Sequence, residues 1–327
     1  MKKFMTVEEY AKQNNVTEKR AYDLVKERNL LEVNIAHKTP KLVYDKSILK
    51  KGYVISTLNL KGGCGKTTLT VHISILLSKL GFKVLLVDSD HQNQCQFFFP
   101  EQQYNFDLTH VLSNEKLINE CIYKNIQTET SELDILFSSN EVALFASKLK
   151  DQNQLANKLS EIKSQYDFIC IDTAPSFDIV NINVANASDF IIIPSSPSRL
   201  HAEGMTHNFK ALQQVAKINL DKIIGIVPSI VNLAKAQHRA YMKLFLKEFA
   251  NTTIDENIEN EKTAIENAYL KISKDINYSG LLFGSFIPES TPLSNVTDEN
   301  SNVFDRYEKS NGSQALKKLT WEILRRM

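Results

Sequence analysis

The sequence predicts an α/β chain: a doubly wound, mostly parallel sheet covered by helices, preceded by a small helix-turn-helix (winged-helix-like) unit. Three observations predict it. From Tyr53 onward, short apolar runs rich in Val and Ile alternate with helix-length segments, the pattern of strands buried on both faces of a parallel sheet. A Gly- and Lys-rich stretch, NLKGGCGKTTLT from Asn59 to Thr70, lies between the first such run and an amphipathic segment. Residues 1–50 break this rhythm and read as two short helices followed by a hairpin.

The 327 residues suffice for one large domain and a small appendage. A hydrophobic content of 43% and a charged content of 24% are those of a globular chain. No apolar run approaches the ~18 residues that span a bilayer. The N-terminal MKKFMTVEEYAKQ has no apolar segment behind its lysines, so no secretory signal is expected and the cytoplasm is the expected compartment. Cys64, Cys95, Cys121 and Cys170 are scattered without a C-x-x-C pair, which favours reduced thiols over a disulfide framework or zinc site. With a net charge of +1, any nucleic-acid binding must come from a local patch.

Within residues 1–50, Thr6 with Glu9 three residues on forms a capping box, and Val7, Tyr10 and Ala11 share a helical face. Thr17 caps the second helix, whose apolar side is Ala21, Leu24 and Val25. Two short helices joined by a polar turn are the skeleton of a helix-turn-helix. The segment LEVNIAHKTPKLVYDKSIL then alternates like a hairpin with Lys38-Thr39-Pro40 at its tip. Eleven Lys and Arg against seven Asp and Glu leave a local positive excess, with Lys19, Arg20 and Tyr22 on or near the second helix, where a groove-reading helix is polar. A helical cap or dimerisation arm is the plainer alternative.

Residues 51–327 form the second expected domain. YVISTLN, KVLLVDSD, LDILFSS, DFICIDTAP, DFIIIPSS, KIIGIVPSIV and LLFGSFIP read as strands. Thr67–Lys79, Asn153–Ser164, Gly204–Ala216 and Lys235–Phe249 read as helices. Residues 251–280 hold six acidic residues against three lysines and read as a solvent-facing insertion, part helical around Glu261–Leu270.

The stretch after the first strand nearly matches the phosphate-binding loop G-x-x-x-x-G-K-[ST], but Leu60 stands at its first position and a second lysine, Lys61, follows. Gly62, Gly63 and Gly65 let backbone N–H groups converge on phosphate oxygens, with Cys64 between them and the positive end of the following helix behind. Lys66 would reach the β- and γ-phosphates, Thr67 would ligate Mg²⁺, and Thr68 continues the loop into the helix. In VLLVDSDHQNQ, Asp88 and Asp90 leave the C-terminal end of a strand toward the phosphates, where carboxylates hold a Mg²⁺ shell and orient water. DFICIDTAP ends in Asp172, the Walker B carboxylate that ligates Mg²⁺ through water. A structural turn without a ligand would explain the loop alone, but not all three motifs in this order.

KGGCGKTT, DSDHQNQ and DFICIDTAPS resemble the nucleotide motifs of the ParA family of partition ATPases, a P-loop NTPase family with a deviant Walker A loop. The resemblance covers roughly residues 52–327 and is strongest in the first half. It implies that Lys61 reaches across an ATP-dependent homodimer to the partner's nucleotide, which accounts for the second lysine. It also implies that Asp90 positions the hydrolytic water, that Asp88 supports the metal shell, and that Leu60 need not be glycine. IIIPSSPSRLHAEGM resembles the strand and switch segment after Walker B. FIPESTPLSNV resembles the late strand whose Ile-Pro turn packs on adenine, which places Pro288 near the base, with Asn232 as a second adenine contact. No N-K-x-D motif follows KIIGIVPSIV, which favours ATP over GTP. The family further implies binding to non-specific DNA, a nucleoid location and a centromere-binding, ParB-type adaptor. Residues 1–50 are similar to compact winged-helix units of MerR-like and excisionase proteins, which would permit operator binding.

Two other classes compete. The C-terminal SQALKKLTWEILRRM places Leu316, Leu319, Ile323, Leu324 and Met327 on one face, with Lys317, Lys318, Arg325 and Arg326 largely off it, as a MinD-like membrane-associated ATPase requires. Packing of that stripe on the ATPase core is the more common use of such a helix, so membrane association is not the expected outcome. The third class is an ATP-switched DNA-binding regulator acting through residues 1–50. A nitrogenase-type iron–sulfur site lacks its cysteine pair, and a bacterial tyrosine kinase its terminal tyrosine cluster.

Overall fold

A computed structural model of the chain describes residues 4–27, 31–33, 40–44, 52–99, 102–128, 131–215, 218–275 and 278–327. Among them no helix is long and apolar enough to cross a membrane. The hairpin tip Lys38-Thr39 and the junction at residues 50–51 lie outside the described residues.

The N-terminal unit combines helices Val7–Gln13 and Glu18–Glu27 with strands β1 (Met5–Thr6), β2 (Leu31–Val33) and β3 (Leu42–Tyr44), which form an antiparallel sheet in the order β1-β3-β2. Thr6 and Glu9 exchange the hydrogen bonds of the capping box, the Thr6 hydroxyl accepting from Glu9 N–H at 3.1 Å and the Glu9 carboxylate from Thr6 N–H at 2.7 Å. Val7, Tyr10, Ala11, Ala21, Val25 and Val43 pack into a small core of their own. Lys19, Arg20 and Tyr22 are exposed, as expected of that helix. Tyr22 nevertheless borders a cavity of ≈ 710 Å³ shared with Leu270, Lys318 and Trp321 of the larger domain.

Seven strands build the main sheet: β4 (Tyr53–Thr57), β5 (Val84–Asp88), β6 (Tyr123–Gln127), β7 (Glu132–Leu136), β8 (Phe168–Asp172), β9 (Phe190–Ser195) and β10 (Ile223–Pro228). Their order is β10-β9-β4-β8-β5-β7-β6. Every pairing is parallel except β6 on β7. The central strands β4, β5 and β8 are buried at every position, as strands covered on both faces must be. Helices at Lys66–Lys79 and Ala236–Ala250 fall within a residue of their expected bounds. The one expected at Asn153–Ser164 ends as an α-helix at Ser160, and the one expected from Gly204 begins at Arg199.

Two expectations are corrected, and one observed strand has no counterpart among them. LLFGSFIP is not a regular strand: it meets β10 and its extension in two isolated bridges, Ile226 to Leu282 and Val231 to Pro288, and through the Ile287 N–H donating to the Pro228 carbonyl at 2.9 Å. Between them Gly284 runs so close to Ser273 that a Cβ there would come within 2.2 Å of the Ser273 nitrogen. The segment 251–280 is not simply solvent-facing. It contains the helix Glu261–Lys274, whose Ala264, Ile265, Ala268, Tyr269 and Ile272 are buried, because apolar residues at i, i+1, i+4, i+5 and i+8 form a stripe that the polar average conceals. The edge strand β6, YKNIQ, has only Ile126 buried and carries no apolar run that would reveal it.

The C-terminal helix Asn311–Arg326 lays Leu316, Leu319, Trp321, Ile323 and Leu324 into the core, none more than 4% exposed. Its apolar stripe therefore faces protein. It also anchors the N-terminal unit: Trp321 Nε1 donates to the Pro40 carbonyl at 2.8 Å, and Arg325 pairs with Glu9 at 3.4 Å. Phe4, fully buried, packs among Tyr44, Phe82 and Phe168 at ring-centroid separations of 5.2–6.5 Å.

Candidate nucleotide site

The loop from Asn59 to Thr68 leaves the C-terminal end of β4 and enters the helix Lys66–Lys79. Gly63 at φ 68° and Gly65 at φ 80° turn it in the left-handed region, where side chains are disfavoured. A Cβ at either would meet nothing within 4 Å, so their outer side is open. Asn59 ties the loop to the sheet, donating from Nδ2 to the Pro194 carbonyl at 2.6 Å and accepting from Lys61 N–H at 2.9 Å. Ser229, just past β10, donates from its hydroxyl to the Cys64 carbonyl at 2.7 Å. Cys64 itself is buried, its Sγ donating to the Lys61 carbonyl at 3.4 Å, and burial raises its thiol pKa.

Lys66 is 6% exposed and donates from Nζ to the Lys61 carbonyl at 3.2 Å. Behind it the Thr57 and Thr70 hydroxyl oxygens stand 2.5 Å apart, and Thr173 Oγ1 donates to the Thr57 carbonyl at 2.7 Å. This locks the P-loop helix to the ends of β4 and β8. At its second turn His72 donates from Nδ1 to the Thr68 carbonyl at 2.7 Å.

Asp88 and Asp172 close adjacent strands β5 and β8 in register, and both are fully buried. Burial, the neighbouring Asp172 charge and Asp90 hold Asp88 well above the usual carboxylate range, against hydrogen bonds from Asp90 and Cys95 N–H. Burial pushes Asp172 up to about 6, while a hydrogen bond to Thr67 and the charge of Lys66 work the other way. Two buried carboxylates at the end of a strand pair, next to a hydroxyl and a lysine, form an oxygen-rich cluster suited to a hard divalent cation. Asp90 is 4% exposed and accepts from Gln92 N–H at 2.9 Å, which aims its carboxylate across the turn after β5.

Of the sequence-predicted loop residues Lys61, Gly62, Gly63, Cys64, Gly65, Lys66, Thr67 and Thr68, Thr67 and Lys66 meet Asp172, which in turn neighbours Asp88 and Asp90. Asn232 and Pro288 lie beside each other at the end of β10, where Val231 bridges to Pro288 and Asn232 Nδ2 donates to Glu289 at 2.8 Å. The Ser229 bond to Cys64 joins this strand end to the phosphate loop. Sequence reasoning missed Cys95. It sits on a 3₁₀ turn, Gln94–Phe98, with Sγ donating to Asp172 at 3.7 Å, and its ligand atom lies within 4.8 Å of those of Asp88 and Asp172. No motif marks it, because the contact is made by the fold of the turn after β5.

The family model AAA_31, an AAA domain, matches residues 52–226. A virulence-plasmid ParA family protein of Chlamydia psittaci is 31% identical over 225 residues, which cover 67% of this chain and 85% of its own. Among solved structures, a proposed plasmid partition protein of Borrelia burgdorferi B31 bound to AMPPNP aligns with a TM-score of 0.65 at 22% identity, over 85% of this chain and 100% of that one. The septum site-determining protein MinD of Pyrococcus horikoshii OT3, complexed with Mg-ADP, aligns with a TM-score of 0.60 at 22% identity, over 83% of this chain and 96% of that one. Both structures share the fold described above.

Proposed function

This chain belongs to the ParA family of P-loop ATPases, the partition and positioning class, and from that premise we propose that it is a DNA partition ATPase whose dimer is assembled by ATP. The observation that carries the proposal is the convergence of Asp88, Asp90 and Asp172 on the side of the loop that holds Lys66. The open loop at Gly63 and Gly65 would take the phosphates through backbone N–H groups, and Lys66 would exchange its bond to the Lys61 carbonyl for phosphate oxygens. Thr67, Asp88 and Asp172 would hold Mg²⁺, and their oxygen donors fit it. When bound, Mg²⁺ supplies positive charge against the β- and γ-phosphates. Asp90 would orient the attacking water, and Lys61 would neutralise phosphate charge across the dimer. Asn232 and Pro288 would border the adenine.

In this reading the ATP-bound dimer binds DNA through backbone phosphates without sequence preference, so binding weakens steeply with salt. A centromere-bound, ParB-type adaptor stimulates hydrolysis and releases the protein from the nucleoid. Residues 1–50 contact an operator through the exposed face of Lys19 and Arg20, in the manner of a winged helix. The test is sedimentation of the full chain with and without ATP and Mg²⁺. An ATP-dependent dimer that Lys66→Ala abolishes supports the proposal, and a monomer under every nucleotide condition contradicts it.

The likeness to MinD favours a second reading, a positioning ATPase at a membrane. The C-terminal stripe is committed to the core, so that reading would need another anchor among the exposed residues.

A further inference from the structure

Gly204 lies inside the helix Arg199–Lys210, after β9, with a φ outside the left-handed region. Glycine in a helix interior is about 1 kcal/mol less favourable than alanine. No backbone requirement explains it here, but a close approach does: a Cβ on Gly204 would come within 3.1 Å of Lys61 Cε and 3.3 Å of Lys61 Cγ. The aliphatic stem of Lys61 therefore lies across the helix where it has no side chain. The Lys61 backbone is held as well, its N–H by Asn59 at 2.9 Å and its carbonyl by Lys66 Nζ at 3.2 Å and Cys64 Sγ at 3.4 Å.

We infer that Gly204 is a positioning residue: it seats the Lys61 side chain on its own subunit until nucleotide draws Lys66 away from the Lys61 carbonyl. Two lysines then act in sequence. Phosphate recruits the Lys66 ammonium, the Lys61 carbonyl loses a donor, and the Lys61 side chain is freed to leave Gly204 for the opposing subunit. The inference rests on the proposed trans role of Lys61 and adds its resting place and its release. It also places the helix Arg199–Lys210 under the influence of the phosphate loop, since an occupied seat and an empty one are different surfaces on that helix.

The experiment compares the full-length chain with Gly204→Ala and Gly204→Leu, each checked for folding by its thermal transition. Without nucleotide, the acetylation rate of each lysine is read by peptide mass spectrometry, with exposed Lys12 as the reference. Filling the seat should raise the Lys61 rate several-fold in Gly204→Leu and less in Gly204→Ala, leaving Lys12 unchanged. Should the leucine variant fail to fold, the alanine variant decides, because its Cβ already crowds Lys61. Equal Lys61 rates in all folded forms overturn the seat. Dimerisation is then followed by sedimentation with a non-hydrolysable ATP analogue. Gly204→Leu should dimerise at several-fold lower protein concentration than the parent, and that gain should vanish in a Lys61→Ala background. A gain that persists without Lys61 overturns the coupling and reduces Gly204 to a packing residue. A parent chain that never dimerises with the analogue contradicts the proposed function, whereas the acetylation rates still decide the seat.

Discussion

The imidazole of His72 joins the backbone of Val303 to that of Thr68. Its Nε2 accepts the Val303 N–H at 3.0 Å while its Nδ1–H donates to the Thr68 carbonyl at 2.7 Å. The ring is fully buried, edge-on to Phe98 and Phe304. This single neutral tautomer ties the end of the phosphate loop to the C-terminal segment, because a protonated Nε2 would point its hydrogen at the N–H of Val303.

A pH dependence follows. Burial lowers the folded-state pKa of His72 from 6.5 to about 4, against smaller raising effects of the Thr68 bond and Asp305. The unfolded chain takes up the proton first as pH falls. The contribution of His72 is thus complete above pH 6.5 and is lost progressively toward pH 4, by on the order of 3 kcal/mol. Urea unfolding at pH 7 and pH 5 should show about 2 kcal/mol of this loss, the rest appearing toward pH 4. His72→Phe should flatten that window while lowering stability at pH 7 by about 2 kcal/mol, because Thr68 and Val303 lose their partner.

Asp90→Ala should keep ATP binding and stop turnover, leaving the dimer trapped, since Asp90 is assigned to water rather than to phosphate. Lys66→Ala should abolish nucleotide binding or productive dimerisation. Phosphate release and fluorescent-nucleotide titration separate the two, and normal hydrolysis by Asp90→Ala would reverse its assignment.

Glu322 on the C-terminal helix, 4% exposed, accepts from Ser273 Oγ and Gly284 N–H, each at 2.8 Å, and from Ser285 Oγ at 2.5 Å. Glu322→Ala leaves these donors without their acceptor and should destabilise the chain by about 3 kcal/mol, with Glu322→Gln losing less. Chemical denaturation measures both.

Phe4→Ala empties a fully buried position between the N-terminal unit and the ATPase core and should lower stability by about 3 kcal/mol. It should also raise proteolytic separation of the N-terminal unit from the ATPase core, since it removes the ring that packs on Tyr44, Phe82 and Phe168 and leaves Tyr44 on Phe82, Trp321–Pro40 and Arg325–Glu9 among the remaining contacts. A cleavage pattern unchanged from the parent would mean that Phe4 does not secure the docking.

What was legible in the sequence was what local pattern encodes. The phosphate loop, Asp88 and Asp172 stand in short contiguous motifs at the ends of apolar runs, so strand, loop and chemistry can be read together. Val7, Tyr10 and Ala11 could be read as one face for the same reason. Cys95, His72 and Gly204 could not, because each meets a partner distant in sequence: Asp172, Val303 and Lys61 respectively. The helix Glu261–Lys274 hid its buried stripe inside an acidic segment, and LLFGSFIP had the composition of a strand but a close glycine crossing in its middle.

Co-sedimentation of the full chain with random-sequence duplex DNA and with anionic liposomes, each with ATP, ADP or no nucleotide, separates a DNA partition ATPase from a membrane-bound one. A DNA partition ATPase should bind DNA with ATP alone, with binding weakened by salt, absent in Lys66→Ala and unaccompanied by liposome binding. ATP-dependent binding to liposomes without binding to DNA would contradict the proposed function.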